Sequence, residues 1–340
     1  MRRIPQLDGL RALAFLAVFA NHSVYLPMAW VGVDLFFALS GFLITTILVD
    51  ANEKAIGRYF SDFYGRRVRR ILPAYFIVLA GVAAFVPGVN WRAIWWHYFV
   101  FGQNVSSAYQ LGTGVLNAYW SLAVEEQYYF VWPILCFVLT RRQLAYACSF
   151  FLVAAPLLRW IFTPSVPYYT VIFCLTPFRI DQLAAGSLVA LVWASKRDAI
   201  DHLRPFVVGV AGLSAAVFFG LALRFSWWRA TANSVAFNVV GYSLSVVMCT
   251  SLLLVALTSA TTFIGRLLAN KWLMRVGTVS YMAYLLHEPV LHFTLGFGRL
   301  LGSTLGLGIT LALAALSWRF IEAPLLQRQT SARPLPAAAP

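Results

Sequence analysis

Apolar residues in this chain run in long blocks separated by short polar stretches. Most blocks are close to the roughly 20 residues that an α-helix needs to cross the hydrocarbon core of a bilayer, about 30 Å thick. The pattern therefore predicts an all-α fold, a polytopic membrane helix bundle of about ten transmembrane helices. The predicted spans are 8–26, 31–49, 72–88, 120–139, 143–162, 177–195, 205–223, 233–257, 276–297 and 303–322.

Charges in the connecting loops predict the orientation. The 50–71 loop carries six basic residues, whereas the 106–118 and 163–176 loops carry none. Because basic loops stay in the cytoplasm, the first loop is predicted inside and the other two outside. This assignment holds only if the short apolar stretch 92–105 does not cross fully, so we expect a re-entrant segment there. Both termini are then cytoplasmic.

Composition narrows the class further. The chain is 61% hydrophobic and only 11% charged, whereas a soluble domain carries roughly 25% charged residues. Its net charge is +14, which in a soluble protein would suggest a nucleic-acid partner. Most basic residues here lie in short loops, where they set topology, so the predicted partner is the lipid bilayer of a bacterial inner membrane and not nucleic acid. We expect one transmembrane domain over 4–325 and a disordered cytoplasmic tail over 326–340.

The first predicted span contains the ionisable residues Arg11 and His22. Eleven helical residues leave them about 20° out of register and about 16 Å apart along the axis, so both point to one side. Ionisable groups at membrane depth usually face a bundle interior or a wet cavity. A neutral imidazole there could accept a proton from a hydroxyl, and the guanidinium could pair with an anion. Alternatively, Arg11 reaches the headgroups and His22 caps the outer helix end.

Two further clusters carry charge near the predicted membrane surfaces. Arg67 and Arg70 lie one helical turn apart in the basic loop and could hold phosphates, although ordinary topology signalling explains them equally well. Glu125 and Glu126 open an otherwise apolar span, and at most one of them can face squarely inward. That acid either faces substrate, orients a histidine or pairs with an arginine, or the two remain in headgroup water.

Isolated polar groups mark other spans. Ser280, Tyr284 and His287 form one polar stripe that suits a polyhydroxylated acceptor, with helix–helix hydrogen bonding as the alternative. Asp34 is either a helix cap or a cavity-facing acid. Arg179 and Asp181 are expected to form structural ion pairs with other helices. No His, Cys, Asp and Glu residues have metal-ligand spacing, so no metal site is predicted.

In chain order, these segments resemble the acyltransferase 3 family of membrane proteins over residues 4–325. One motif alone would be weak, whereas seven in the same order are specific. The matching motifs are Leu7-Asp8-Gly9-Leu10-Arg11 with His22, Gly32-Val-Asp34 continuing to Ser40-Gly41-Phe42, Arg67-x-x-Arg70-Ile-Leu-Pro73, Trp120-Ser-Leu-Ala-Val-Glu125-Glu126-Gln-Tyr-Tyr, Phe178-Arg179-Ile-Asp181, Ser280-Tyr281-x-x-Tyr284-Leu-x-His287 and Arg319-Phe-Ile-Glu322-x-Pro324.

The resemblance implies a ten-helix bundle that moves an acyl group, usually acetyl, from cytoplasmic acyl-CoA to a hydroxyl. The acceptor in such proteins is typically a sugar of lipopolysaccharide, exopolysaccharide, peptidoglycan or a secreted metabolite. The resemblance further implies that His22 is catalytic and that Arg11 is its partner. Of the two acids, Glu125 is the one found more regularly in the family. Arg67 and Arg70 are implied to contact the CoA. Acyl-CoA is then a substrate, and no tightly bound cofactor is expected.

Two other functions fit the same residues. A transporter or flippase for a glycan or lipid precursor could use the buried charges as a substrate path, although the chain has no evident internal repeat. A non-catalytic scaffold would not need Arg11 and His22 on one helix face. Some members of the family carry an additional extracytoplasmic hydrolase-like domain, which we do not expect in this chain.

Overall fold

The computed structural model describes residues 4–51 and 55–326. All regular secondary structure in these residues is helical, which confirms the predicted all-α class. The helices are α1 (Pro5–Ser23), α2 (Val31–Val49), α3 (Ile56–Phe85), α4 (Trp91–Phe99), α5 (Gln103–Ala108), α6 (Trp120–Val138), α7 (Arg141–Phe162), α8 (Tyr169–Cys174), α9 (Ile180–His202), α10 (Arg204–Arg224), α11 (Tyr242–Thr258), α12 (Phe263–Leu268), α13 (Lys271–Thr294) and α14 (Arg299–Ser317).

Each of the ten predicted spans lies largely within one long helix. Six helical stretches among the described residues are long and apolar enough to cross a membrane, so the membrane class is supported while a total of ten crossings remains a prediction. The six are Val31–Val49, Ile56–Phe85, Arg141–Ser165, Arg204–Arg224, Phe237–Thr258 and Arg299–Leu326. Apart from Leu326, the predicted tail lies outside the described residues.

The stretch 92–105 forms two short helices, α4 and α5, with a turn between them in which Phe101 has a positive φ of 52°. At 1.5 Å per residue, the nine residues of α4 cover only about 14 Å, less than half of a hydrocarbon core. Neither helix is long enough to cross a bilayer. The predicted 50–71 loop is wrong in one respect, because α3 already begins at Ile56 and includes the basic residues that follow.

The helices fall into two compact units. The first comprises Met1–Asn52 and Gly88–Thr278, and the second comprises Glu53–Pro87 and Val279–Pro340. In the first unit α2 is buried along most of its length against α9. In the second unit, the Tyr281 hydroxyl of α13 donates to the Ile71 carbonyl of α3 at 3.2 Å, which joins these two helices.

Glycines allow α2 and α9 to approach at backbone distance. A Cβ on Gly41 of α2 would lie 2.0 Å from the Leu183 carbonyl oxygen of α9. A Cβ on Gly186 of α9 would lie 1.9 Å from the Ala38 carbonyl oxygen of α2. Since no side chain fits at either position, the two helices pack through their backbones, as small residues permit in membrane proteins.

Candidate active site

The predicted site residues divide between the two units. Arg11, His22, Asp34 and Glu125 belong to the first unit, whereas Arg67, Arg70, Ser280, Tyr284 and His287 belong to the second.

Arg11 and His22 lie on the single helix α1, which begins with Pro5, a residue suited to the first helical position. His22 lies in the last turn, and both side chains are half-buried. The prediction that they share one helix is confirmed, and their chemical role remains a prediction.

Backbone contacts fix the start of α1 close to Arg11. A Cβ on Gly9 would lie 1.9 Å from the Leu268 carbonyl oxygen of α12, and a Cβ on Gly277 of α13 would lie 1.8 Å from the Asp8 carbonyl oxygen. The Asp8-Gly9 step is therefore enclosed by two neighbouring helices. This explains why the motif around Arg11 contains a glycine, because any side chain at Gly9 would displace α1 and with it the guanidinium.

Glu125 lies on α6 with its half-buried carboxylate directed at α2. The Ser40 hydroxyl of α2 donates to Glu125 Oε1 at 2.9 Å. The Tyr129 hydroxyl, one turn along α6, donates to Oε2 at 3.2 Å. Each carboxylate oxygen thus accepts one hydrogen bond from a hydroxyl group.

Two more hydrogen bonds connect α6 to neighbouring helices at residues that follow Glu125 along the helix. Trp132 Nε1 donates to Thr45 Oγ1 of α2 at 2.8 Å. The Ser187 hydroxyl of α9 donates to the Gly41 carbonyl at 3.1 Å, so the Tyr128 hydroxyl donates to Ser187, at 2.7 Å. The sequence did not predict these contacts. They fix the position of α6 along α2 and α9.

An amide network ties the α4–α5 segment to a different face of α6. Gln127 Nε2 donates to the Phe101 carbonyl at 2.9 Å and to Asn104 Oδ1 at 3.1 Å. Asn104 Nδ2 and Gln127 Oε1 both meet the Thr176 hydroxyl. Gln127 lies two residues after Glu125, about 200° around the helix axis, so the α4–α5 segment is anchored on the side of α6 away from the candidate acid.

Asp34 is fully buried and forms an ion pair with Arg179, which is also fully buried. Its other carboxylate oxygen accepts from Gln182 Nε2 at 2.9 Å and from the Ser245 hydroxyl at 2.6 Å. The sequence left a helix cap or a cavity-facing acid open for Asp34, whereas the structure places it in a paired, desolvated position. Its predicted substrate-binding role remains a prediction.

A second buried pair lies next to the first. Arg159 of α7 contacts Asp181 of α9 at 2.8 Å and donates to the Phe178 carbonyl at 2.6 Å. The expectation that Arg179 and Asp181 pair with other helices is therefore confirmed. Arg159 was missed by sequence reasoning, although a single arginine inside a predicted span was the available signal.

Aromatic rings surround the Arg179 guanidinium. The Tyr242 ring centroid is 4.3 Å from its central carbon, and the rings of Trp30, Phe173 and Trp120 lie at 5.6, 5.4 and 5.7 Å. Cation–π attraction is strongest when the cation is desolvated, as here. The rings and Asp34 together stabilise a positive charge that has left water.

Arg67 and Arg70 in the second unit lie on one turn of α3. The Arg67 guanidinium is half-buried and lies 5.7 Å from the Phe63 ring centroid. Arg70 is exposed and interacts electrostatically with the buried Glu322. Their one-turn spacing is confirmed, and their contact with CoA remains a prediction.

Ser280, Tyr284 and His287 are all buried on α13. His287 Nδ1 is 2.5 Å from the Tyr284 carbonyl oxygen, which can only accept, so Nδ1 carries the proton and Nε2 is an acceptor. The stripe is therefore inside the protein, and its binding of an acceptor sugar remains a prediction. Among the residues that the structure describes, no group of three or more His, Cys, Asp or Glu side chains could hold a metal ion.

Comparison with known proteins gives a consistent assignment. The acyltransferase 3 profile, described as an acyltransferase domain, matches residues 4–321. A Bacillus subtilis protein named "Putative peptidoglycan O-acetyltransferase YrhL" is 31% identical over an alignment of 361 residues, gaps included. The alignment covers 95% of this chain and 55% of that protein. The peptidoglycan O-acetyltransferase OatA of Listeria monocytogenes is 28% identical over 357 residues, covering 95% of this chain and 56% of OatA.

The chain spans about half the length of the curated relatives it matches. No solved structure matches it.

Proposed function

The chain belongs to the acyltransferase 3 family, and on that premise we propose that it is an integral membrane O-acetyltransferase. The observation that carries the proposal is the family match over nearly the whole chain. The donor is cytoplasmic acetyl-CoA and the acceptor is a hydroxyl of a carbohydrate. Peptidoglycan is the first acceptor to test, because the names of both relatives include it.

The proposed location is the bacterial inner membrane, with both termini in the cytoplasm. The support is the contrast between the basic 50–71 segment and the 106–118 and 163–176 segments, which lack Lys and Arg. With this orientation, Arg11 lies toward the cytoplasm and His22 toward the outside. A transfer from an inner donor to an outer acceptor would need such a polarity.

In the proposed reaction, Arg67 and Arg70 bind the phosphates of CoA. The imidazole of His22 takes the proton of the acceptor hydroxyl, and the hydroxyl oxygen attacks the thioester carbonyl. The carbon–sulfur bond breaks and the His22 imidazolium returns its proton to the CoA sulfur, so the products are an acetyl ester and free CoA thiol. Arg11 is the partner of His22, and Glu125, held by two hydroxyl donors, supplies a fixed negative charge on the substrate side.

Acceptor binding is proposed for the polar stripe of α13, formed by Ser280, Tyr284 and His287, and a separate substrate-binding role is proposed for Asp34 in the first unit. Hydroxyl and imidazole groups suit a polyhydroxylated ligand because they both donate and accept hydrogen bonds. Holding the thioester and the hydroxyl together supplies a large part of the catalysis in such sites.

The test uses the full chain in lipid nanodiscs, with acetyl-CoA as donor and soluble muropeptides as acceptor. Thiol release and mass spectrometry of the muropeptides report transfer. We expect His22→Ala to abolish ester formation without lowering thermal stability, and His202→Ala, at an exposed histidine of α9, to leave it intact.

Full transfer by a correctly inserted His22→Ala variant would remove His22 from the mechanism. If wild-type protein released no CoA with any carbohydrate acceptor, a glycan or lipid transporter would replace the enzyme as the better proposal. Labelled acetate that stays on the denatured wild-type protein before acceptor is added, and is absent from His22→Ala, would show that His22 carries the acyl group itself.

A further inference from the structure

The carboxylate of Glu125 is held from two different helices. Tyr129 belongs to α6 itself, four residues after Glu125, so its hydrogen bond keeps the acid near the surface of its own helix. Ser40 belongs to α2 and lies 85 positions away in sequence. Because a glutamate side chain has three rotatable bonds, a contact from a second helix restricts the direction of its carboxylate.

The Ser40 hydroxyl is itself rigidly placed. The next residue, Gly41, packs directly on the α9 backbone, since a Cβ there would lie 2.0 Å from the Leu183 carbonyl oxygen. The backbone at Ser40 therefore cannot shift relative to α9 without disturbing that contact. The hydroxyl presented to Glu125 therefore comes from a segment of α2 that packs directly on α9.

The contact with Glu125 is not needed to hold the two helices together. Trp132 and Thr45 connect α6 to α2 through a hydrogen bond of 2.8 Å, about two turns further along α6. Tyr128 and Ser187 connect α6 to α9. Removal of the Ser40 hydroxyl should therefore leave both backbones in place and remove only the contact between α2 and the carboxylate.

We propose that Ser40 is a positioning residue for the acyl-transfer reaction, which orients the Glu125 carboxylate toward the reacting groups. This inference rests on the proposed function and adds a residue to it. Ser40 acts through Glu125 and does not itself touch the donor or the acceptor. A misoriented carboxylate should slow the chemical step while leaving donor binding unchanged.

The test compares Ser40→Ala with Thr45→Val in the full chain in nanodiscs, with acetyl-CoA and soluble muropeptides. Both variants remove one hydrogen bond of nearly equal length between α2 and α6, but only the first removes a bond to the candidate acid. We expect Ser40→Ala to lower kcat about ten- to a hundredfold, the range for losing a hydrogen bond to a charged group. KM for acetyl-CoA should stay within about twofold, and Ser40→Thr, which restores the hydroxyl, should recover most of kcat.

Thr45→Val should reduce thermal stability at least as much as Ser40→Ala does and keep kcat. An equal loss of kcat in both variants would mean that Ser40 acts only through helix packing, which would overturn the inference. An unchanged kcat in Ser40→Ala would also overturn it. In the background of Glu125→Gln, Ser40→Ala should cause no further loss of the residual rate, because both changes act on one interaction. A further tenfold loss there would also overturn it.

These outcomes separate the inference from the proposed function. If the wild type transfers acetyl groups and Glu125→Gln does not, a normal Ser40→Ala variant refutes only the positioning role. If Glu125→Gln is fully active, the role of Glu125 in the proposed function is wrong, and the role of Ser40 is wrong with it.

Discussion

Replacement of Gly186 by alanine is expected to force α2 and α9 apart. The new Cβ would lie 1.9 Å from the Ala38 carbonyl oxygen and 2.8 Å from its carbon, whereas real Cβ contacts are essentially never below 3.0 Å. The helices must therefore separate locally by at least about 1.1 Å. No side chain can rotate to relieve this contact, because the obstructing atoms belong to the backbone.

The free-energy change has two opposing parts. Overpacking of a well-filled interior costs roughly 1–3 kcal/mol, and a backbone clash belongs at the upper end of that range. Alanine in a helix recovers about 1 kcal/mol relative to glycine. We therefore expect a net loss of about 2 kcal/mol in the free energy of unfolding, which lowers the melting temperature by a few degrees.

The protein supplies its own reporter for this measurement. Its four cysteines, Cys136, Cys148, Cys174 and Cys249, are all buried, so a thiol-reactive dye gains fluorescence only as the helices come apart.

The matched control is Gly212→Ala on α10, where an added Cβ would meet nothing within 4 Å. This control should melt at or slightly above the wild-type temperature. Equal melting of Gly186→Ala and the wild type, or an equal drop in Gly212→Ala, would refute backbone packing as the basis of the α2–α9 contact.

Two further predictions concern charge. Arg179→Met leaves the buried Asp34 without its ion-pair partner and should destabilise the protein by about 3–5 kcal/mol, measured with the same dye; adding Asp34→Asn should recover part of the loss, and a double variant that melts below Arg179→Met would contradict the ion-pair argument. The loop charges predict the labelling of two exposed positions, Tyr168→Cys and Arg58→Cys, each introduced into a variant that lacks the native cysteines. An impermeant maleimide should label Tyr168→Cys on intact spheroplasts and Arg58→Cys only after permeabilisation. The reverse labelling pattern would show that the topology is inverted.

The long helices could be predicted from hydrophobic blocks because burial in lipid or protein selects apolar side chains. For α2 the predicted and observed limits coincide, since a turn that begins at Pro27 precedes the helix and Asp50 follows it. For α3 the prediction began at residue 72, although the helix begins at Ile56. Hydropathy records where a helix meets lipid and carries no information about a helix that continues into water.

The candidate site was predictable only one helix at a time. Helical spacing placed Arg11 with His22 and Ser280 with Tyr284, because both relations are local. The partners of Glu125 and Asp34 lie on other helices, and the spacing of 85 positions between Ser40 and Glu125 follows from how α2 and α6 pack. A single sequence states which polar groups need partners but does not state which partner each one receives.

The pairing of Asp34 with Arg179 also has a consequence for how the chain is made. The two residues are 145 positions apart, and the acid is synthesised first. During translation α2 therefore reaches the membrane while the arginine that neutralises its carboxylate does not yet exist. A lone carboxylate is costly at membrane depth, so we expect α2 to remain at the insertion machinery or beside other polar surfaces until α9 has emerged. A ribosome that stops before Arg179 would therefore release an incomplete chain whose Asp34 carboxylate lacks its ion-pair partner.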